Sequence, residues 1–508
     1  MNTYDLDKTL LQFGRDEEKS YWTARQACEN LQVFGALGSG KTSGSGGVIA
    51  RKYLLEGWGG LVLCVKNTEC DLWRQYCEDT GRSDDLIIIS PQSGHRFNFI
   101  EFESRSSENH EALTTNIVDL LKTVIRAGDE QANFGDNDGI FWDKALTMLM
   151  EFTVDLSLLA YGKVQIETMY NILQSVPGMN DTGSDKKKKN EPTAFEVAYE
   201  LATQNVASQV EEWKRKQTFE FKATITDQAS YIRAVHEAVP DSRTLDYTAE
   251  FFHRSFKELS PKTKSIVEFI FLGFMHGLLR NPFYSLFCNK SSTVVMDDCC
   301  KGKIIVIDLP LQKFQGVGKS CQLMVKYCFQ RAMQKRKVDD STLPCFLWCD
   351  EGHLLLHEHD QEFLSVSRAS RVATVTISQN LSNFFSALGG DKAEHKVRSM
   401  LGNTGTHIYH ANACTITNEY ASSLISEVDM TDPSISVSIG NDSFTQSQNT
   451  GVKLERLVKP AEFISLKTGG PANYFKVQGI IHCQGNPPFN GRNFKRVCFH
   501  QTNTIFKS

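Results

Sequence analysis

Residues Gly35-Ala-Leu-Gly38-Ser39-Gly40-Lys41-Thr42 follow the apolar run Leu31–Phe34 and lead into a helical run through Arg51–Leu55. They match G-x-x-x-x-G-K-[ST] without a gap. The pattern constrains the fold because each position answers a physical demand. Small residues let successive backbone N–H groups wrap a phosphate chain, and Lys41 brings a point charge to its β and γ oxygens. The Thr42 hydroxyl can ligate Mg²⁺, and the following helix N-terminus adds partial positive charge. Gly35, Gly38, Ser39, Gly40, Lys41, Thr42 and Ser43 are therefore the expected nucleotide-binding residues, for ATP with Mg²⁺. The competing reading is a flexible Gly/Ser linker that contains Gly-Lys-Thr by chance. The strand–loop–helix context argues against it.

A phosphate loop of this kind needs an acid at the end of another strand. Phe346-Leu-Trp-Cys-Asp350-Glu351 supplies two: Asp350 to hold Mg²⁺ through water, and Glu351 to orient or deprotonate an attacking water. Asp308, ending Lys303–Asp308, competes for the first role, but Leu309-Pro310 follow it where a second acid is wanted. Downstream, Gln379 caps the apolar run Val372–Ser378 and is placed to sense hydrolysis beside the γ-phosphate. Arg368 and Arg371 end the preceding helix, and either could act as an arginine finger if presented to a neighbouring subunit. Their bland readings are a loop hydrogen bond for Gln379 and a surface ion pair for each arginine.

Composition bounds the rest. A chain of 508 residues has a prior of two to four domains. With 41% hydrophobic and 23% charged residues, collagen-like, disordered and mucin-like classes are excluded. A net charge of −5 provides no global basic field for nucleic acid or anionic lipid. The fourteen cysteines show no C-x-x-C pair, so neither a zinc ribbon nor a disulfide framework is indicated. The expected setting is reduced and cytoplasmic. The start of the chain is polar and acidic, unlike a secretory signal. Ala145–Tyr161 and Ile266–Leu279 are interrupted by Glu151, Asp155 and Glu268, and are shorter than a membrane span requires, so no direct membrane insertion is expected.

Along the chain, residues 1–30 read as an N-terminal lead-in and 31–103 as the first half of a nucleotide-binding domain. Residues 104–289 read as an inserted all-helical domain, 290–490 as the second half of the nucleotide-binding domain, and 491–508 as a C-terminal tail. The fold class is α/β: a P-loop core with a mostly parallel central sheet plus an inserted all-α domain. The Lys-rich break Asp181–Pro192 reads as a solvated loop, with a DNA-touching arm at Lys186–Lys189 as a minor option. Residues 430–451, rich in Ser, Asn and Gly, read as a mobile loop. His353, His357 and His359 read as a solvated helix face, and the adjacent Cys299-Cys300 as functionally silent.

In this order the segments resemble the type IV secretion coupling proteins, the conjugative DNA-transfer ATPases within the FtsK/HerA clade of P-loop motors. The resemblance spans residues 30–490. Leu61-Val-Leu-Cys64-Val-Lys66-Asn-Thr-Glu69 is similar to that family's strand ending in Asp-x-Lys-Gly-Glu, with Cys64 in place of the acid. Arg96-Phe-Asn98-Phe, Phe141-Trp142-Asp143-Lys144-Ala145, Lys301–Pro310, Leu401-Gly-Asn403 and Pro460–Leu466 resemble its further segments. Arg368, eleven residues before Gln379, falls where the family carries its candidate finger.

The resemblance implies a RecA-like core and self-association into a hexameric ring that hydrolyses ATP at subunit interfaces while DNA passes through a pore. A few cations per subunit, multiplied by ring symmetry, would reconcile the net charge with that substrate. The family's N-terminal membrane helices are absent ahead of Gly35, so a membrane-anchored or relaxase-like protein partner is expected to recruit the chain. The alternative is an ATPase that recruits or remodels protein cargo for secretion or defence. A pure nucleotide switch would have no need of Glu351.

Overall fold

The computed structural model describes residues 3–14, 19–107, 110–128, 137–176, 191–218, 227–389, 392–439, 444–485 and 488–501. The chain divides into two units: residues 1–87, 296–312 and 329–508, and residues 88–295 and 313–328.

The first unit is built on β3 (Leu31–Phe34), β4 (Gly59–Leu63), β6 (Ile304–Ile307), β7 (Cys345–Asp350), β8 (Val372–Ser378), β9 (Thr406–Tyr409), β12 (Lys476–Cys483) and β13 (Phe494–His500). With β5 (Leu86–Ile89) these make a nine-stranded sheet among the described residues, in the order β13-β12-β9-β3-β8-β7-β4-β6-β5. The pairs β9–β3, β3–β8, β8–β7, β7–β4 and β4–β6 are parallel, whereas β12 and β13 close one edge antiparallel. The parallel strands β3, β6 and β7 are mainly apolar and buried along their whole length, as strands covered on both faces must be.

On one face, Trp73 stacks on Phe346 at 5.5 Å and meets Trp348 edge-on, while Tyr53 stacks on Trp58 at 4.5 Å. Gly60 makes room for this layer, since a Cβ there would lie 2.5 Å from the Phe346 ring. A second core joins Phe34, Phe384, Val397, Leu401, Tyr409, Ile425 and Phe463. Ahead of the sheet, β1 (Thr9–Phe13) and β2 (Ser20–Thr23) form a short antiparallel ribbon.

The second unit is helical. Its helices include Phe99–Ser106, His110–Gly128, Asn137–Tyr161, Ile166–Gln174, Ala194–Lys216 and Pro261–Leu278. Thr193 with Glu196, Asp227 with Ser230, and Ser260 cap helix starts by accepting from backbone N–H groups. Phe152 stacks on Phe251 at 4.5 Å, and Phe195 meets Phe252 at 5.1 Å. Residues 313–328 join this unit, with Phe314 against Phe283 and Val317 facing Gly277. No single helix among the described residues is long and apolar enough to cross a membrane. Phe141–Tyr161 and Ile166–Gln174 reach that composition only as a pair bent by 110°.

Two readings are corrected. The described residues within 430–451 are strand and not loop: β10 (Glu427–Ile439) and β11 (Phe444–Arg456) pair antiparallel through thirteen residues each. The alternation Ser434-Ile-Ser-Val-Ser-Ile439 is a strand pattern that the local Ser/Asn/Gly content obscures. The tail carries β13, where Val497 and Phe499 are buried with the period of a half-buried edge strand and Phe494 is buried out of that phase at its start. The Lys186–Lys189 run lies outside the described residues.

Candidate nucleotide-binding site

The phosphate-loop motif lies at the carboxyl end of β3, in the middle of the parallel sheet. The Gly35 N–H donates to the Ser378 carbonyl and the Ala36 N–H to the Ala411 carbonyl, tying the loop to the ends of β8 and β9. Gly38 and Gly40 have φ of +72° and +83°, where an L side chain is strained. At Gly40 space is also lacking, because a Cβ would lie 2.5 Å from a Val477 methyl on β12. Gly40→Ala is therefore expected to weaken nucleotide binding by about tenfold or more, checked by titrating a fluorescent nucleotide.

Under the loop, Ser45 and His410 are fully buried. His410 Nδ1 lies 2.8 Å from the Gln478 carbonyl, which can only accept. That leaves Nε2, 2.7 Å from Ser45 Oγ, to accept from the hydroxyl. Burial pushes His410 down to about 4, so it pins the loop as a neutral ring.

The motif's cation and hydroxyl meet the acids of β7. Thr42 Oγ1 donates to Asp350 Oδ2 at 2.9 Å, and Lys41 Nζ lies 3.9 Å from Glu351 Oε1. Glu351 sits at a φ of +50°, its N–H donating to Asp350 Oδ1 at 2.8 Å. This left-handed turn brings both carboxylates to the loop. Asp308 directly follows β6, which lies beyond β4 from β7 in the sheet order. Asp350, not Asp308, is the acid bonded to Thr42.

A second lysine completes the cluster. Lys66, three residues past β4, places Nζ 2.9 Å from Glu351 Oε1, 3.4 Å from Asp350 Oδ2 and 3.9 Å from Glu69 Oε1. The sequence reading assigned no role to it. Glu69 folds back beneath, its Oε2 accepting from the Val65 and Lys66 N–H groups at 2.6 and 3.3 Å. Cys64, at the carboxyl end of β4, is a buried thiol, and Glu69 brings a carboxylate to the edge of the cluster.

Burial pushes the Glu69 carboxyl up, and the Asp350 charge adds to that. Burial also pushes Glu351 up, but the Lys66 hydrogen bond and the Lys66 and Lys41 charges outweigh it and hold Glu351 below the usual carboxylate value. Lys41 is shifted down by burial, against the pull of Glu351 and Asp350.

His353 is not on a solvated face. Its side chain is largely buried, with Nδ1 3.8 Å from Glu351 Oε2 and 3.0 Å from Ser378 Oγ. His357 is buried against Asp360 at 3.5 Å, and His359, the most accessible of the three, is half-buried. No group of three or more potential metal-ligating side chains occurs among the described residues.

The end of β8 thus reaches the cluster through Ser378. Gln379, one residue on and half-buried, is held by its carbonyl, which accepts from Asn412 at 2.9 Å. Arg368 is not brought together with the other predicted residues. It precedes β8, whose seven residues at about 3.3 Å each separate it from the Ser378 end. Its side chain is 63% exposed, 3.2 Å from Glu29. Arg371 instead donates to the Thr342 carbonyl at 2.6 Å. Position relative to the strand ends was the available signal for Lys66 and Ser378, since groups past the carboxyl ends of parallel strands line one crevice.

Residues 344–468 match the family described as "TraM recognition site of TraD and TraG" (TraG-D_C). No curated protein sequence matches the chain. Solved structures are similar over nearly all of it. The bacterial conjugative coupling protein TrwBdeltaN70, in an unbound monoclinic form, is 14% identical with a TM-score of 0.54, covering 97% of this chain and 91% of that one. The plasmid coupling protein TrwB with ADP and Mg²⁺ is 13% identical with a TM-score of 0.55, covering 96% and 88%. TrwB with the GTP analogue GDPNP is 14% identical with a TM-score of 0.55, covering 97% and 92%. The chain thus has the RecA-like P-loop fold of these coupling proteins, a large mostly parallel sheet with extensive helical insertion, and a TraG-D_C segment from 344 to 468.

Proposed function

We propose that the chain is an ATP-dependent DNA-translocating motor of the conjugative coupling-protein type, assembling as a ring with its nucleotide sites at subunit interfaces. The observation that carries the ATPase reading is the convergence of Lys41, Thr42, Lys66, Asp350 and Glu351 on the carboxyl ends of β3, β4 and β7. The residues fit Mg²⁺ and a nucleoside triphosphate. Ser39 Oγ and Glu351 Oε2 are buried there without a hydrogen-bond partner, and Thr42 and Asp350 form a hard-oxygen pair.

When bound, Mg²⁺ and the triphosphate supply the electrophilic γ-phosphorus and its leaving group. Lys41 neutralises phosphate charge, and Thr42 and Asp350 hold the ion. Glu351 orients water and takes its proton, kept ionised by Lys66. His353 links Glu351 to Ser378 and, one residue on, to Gln379 as a sensor of the phosphate. Arg368, exposed and distant from its own loop, serves a neighbouring subunit as the finger.

The structural likeness to conjugative coupling proteins supports DNA as the cargo. The match of residues 344–468 to a family described as a TraM recognition site supports a protein partner, whose docking would place the chain at a secretion channel from the cytoplasmic side. Hydrolysis by the purified full chain, with and without single- and double-stranded DNA, separates the two cargoes. We expect stimulation of several-fold or more, lost in Lys41→Ala. A Lys41-dependent rate indifferent to both polynucleotides would overturn the DNA reading in favour of protein cargo.

A further inference from the structure

At the amino end of β7, opposite Asp350, lies a second polar cluster that the nucleotide site does not use. Cys345 opens the strand, and Cys300 lies in the short 3₁₀ turn Met296–Lys301 before β6. One guanidinium nitrogen touches both sulfurs: Arg336 Nη1 is 3.0 Å from Cys345 Sγ and 3.5 Å from Cys300 Sγ. The guanidinium is fixed by carbonyls, Nε donating to Ser370 at 2.8 Å and Nη2 to Ser370 and to Arg371, the last at 3.0 Å. A half-buried cation whose other contacts are neutral carbonyls favours an anion at the sulfurs.

Which sulfur carries the charge follows from burial. Arg336 lies nearer Cys345, but Cys345 is 1% exposed and its S–H has the Cys299 carbonyl, 3.4 Å away, as a further acceptor. Cys300 is half-buried, within reach of solvent. The Cys345 hydrogen bond and the Arg336 charge hold the Cys300 thiol below its ordinary value, and that same hydrogen bond together with burial pushes Cys345 up.

We propose that Cys300 and Cys345 form an oxidant-responsive dithiol, with Cys300 the attacking thiolate and Cys345 the resolving thiol. With hydrogen peroxide as oxidant, the Cys300 thiolate attacks one peroxide oxygen and the O–O bond breaks. Cys300 becomes the sulfenic acid, and hydroxide leaves. The Cys345 sulfur then attacks the sulfenic sulfur. The S–S bond forms, the S–OH bond breaks, and the Cys345 proton leaves with the hydroxyl as water. Arg336 holds both sulfurs throughout. The inference is independent of the function proposed for the nucleotide site.

The test oxidises the full-length chain with stoichiometric hydrogen peroxide, blocks free thiols, and maps non-reduced peptides by mass spectrometry. The expected product is a Cys300–Cys345 cross-link with loss of two hydrogens, reversed by dithiothreitol. In Cys345→Ser the reaction is expected to stop at a Cys300 sulfenate trapped by dimedone. In the unmodified protein, iodoacetamide is expected to label Cys300 before the exposed Cys498 at pH 7. A Cys299–Cys300 cross-link, or oxidation at Cys498 that leaves Cys300 and Cys345 as free thiols, would overturn the proposal. Because both decisive readouts use the unmodified chain, a folding failure in the variant cannot obscure them.

Discussion

Glu351→Gln is expected to abolish steady-state ATP hydrolysis, a loss of about 10²- to 10⁴-fold in kcat, while nucleotide binding is retained. The amide keeps the shape and can still accept from Lys66 at the Oε1 position, 2.9 Å away in the native protein. It cannot take a proton from water. Nor does it weaken the cradle, since the Gly40–Thr42 backbone and Lys41 are untouched and one negative charge beside an anionic ligand is gone. Phosphate release measures the first quantity and fluorescent-nucleotide titration the second. An unchanged rate would remove Glu351 from the chemistry and revive a switch that binds nucleotide without a catalytic cycle.

Lys66→Ala is expected to lower the rate by roughly tenfold or more at pH 7, and to do so with a signature that a structural defect lacks. Burial raises the Glu351 carboxyl, and the largest opposing effects are the hydrogen bond and charge of Lys66. Without that lysine, burial is opposed chiefly by the more distant Lys41, and the Glu351 pKa rises. Because the carboxylate form is the active one, activity is lost as pH falls through that pKa. The acid limb of the kcat/KM profile therefore moves to higher pH, and raising the pH restores activity. Lys66→Arg should keep the limb near its native position. A variant whose plateau drops while its limb stays fixed would show that Lys66 only supports the fold. The side chain is 37% exposed, so salt is expected to narrow the difference between variant and parent.

The chemistry that sits in contiguous residues was legible. Gly35–Thr42 is a complete local motif, and Phe346–Glu351 is an apolar strand ending in acids, so Thr42 and Asp350 could be paired before their 2.9 Å bond was seen. The parallel sheet was legible for the same reason, as its strands are short, mainly apolar runs between turn signals. What escaped was non-local or masked by composition. Lys66 stands out only once β4 is known to lie beside β7, which the order of strands along the chain does not reveal. His353 looked solvated among His and Glu neighbours, yet the turn at Glu351 swings it inward to Ser378. The ribbon of β10 and β11 was hidden by serine and asparagine, because alternation rather than hydrophobic content marks it as strand. Arg368 fell at a meaningful spacing from Gln379, but its distance from its own phosphate loop is a property of the folded sheet.

The most direct test of the account is a calorimetric titration of a non-hydrolysable ATP analogue with Mg²⁺ into the full-length chain and into Lys41→Ala under identical conditions. One saturable site per chain is expected, weakening by at least about tenfold when Mg²⁺ is withheld or Lys41 is removed. Binding that is indifferent to both changes, or no binding by the native chain, would contradict it.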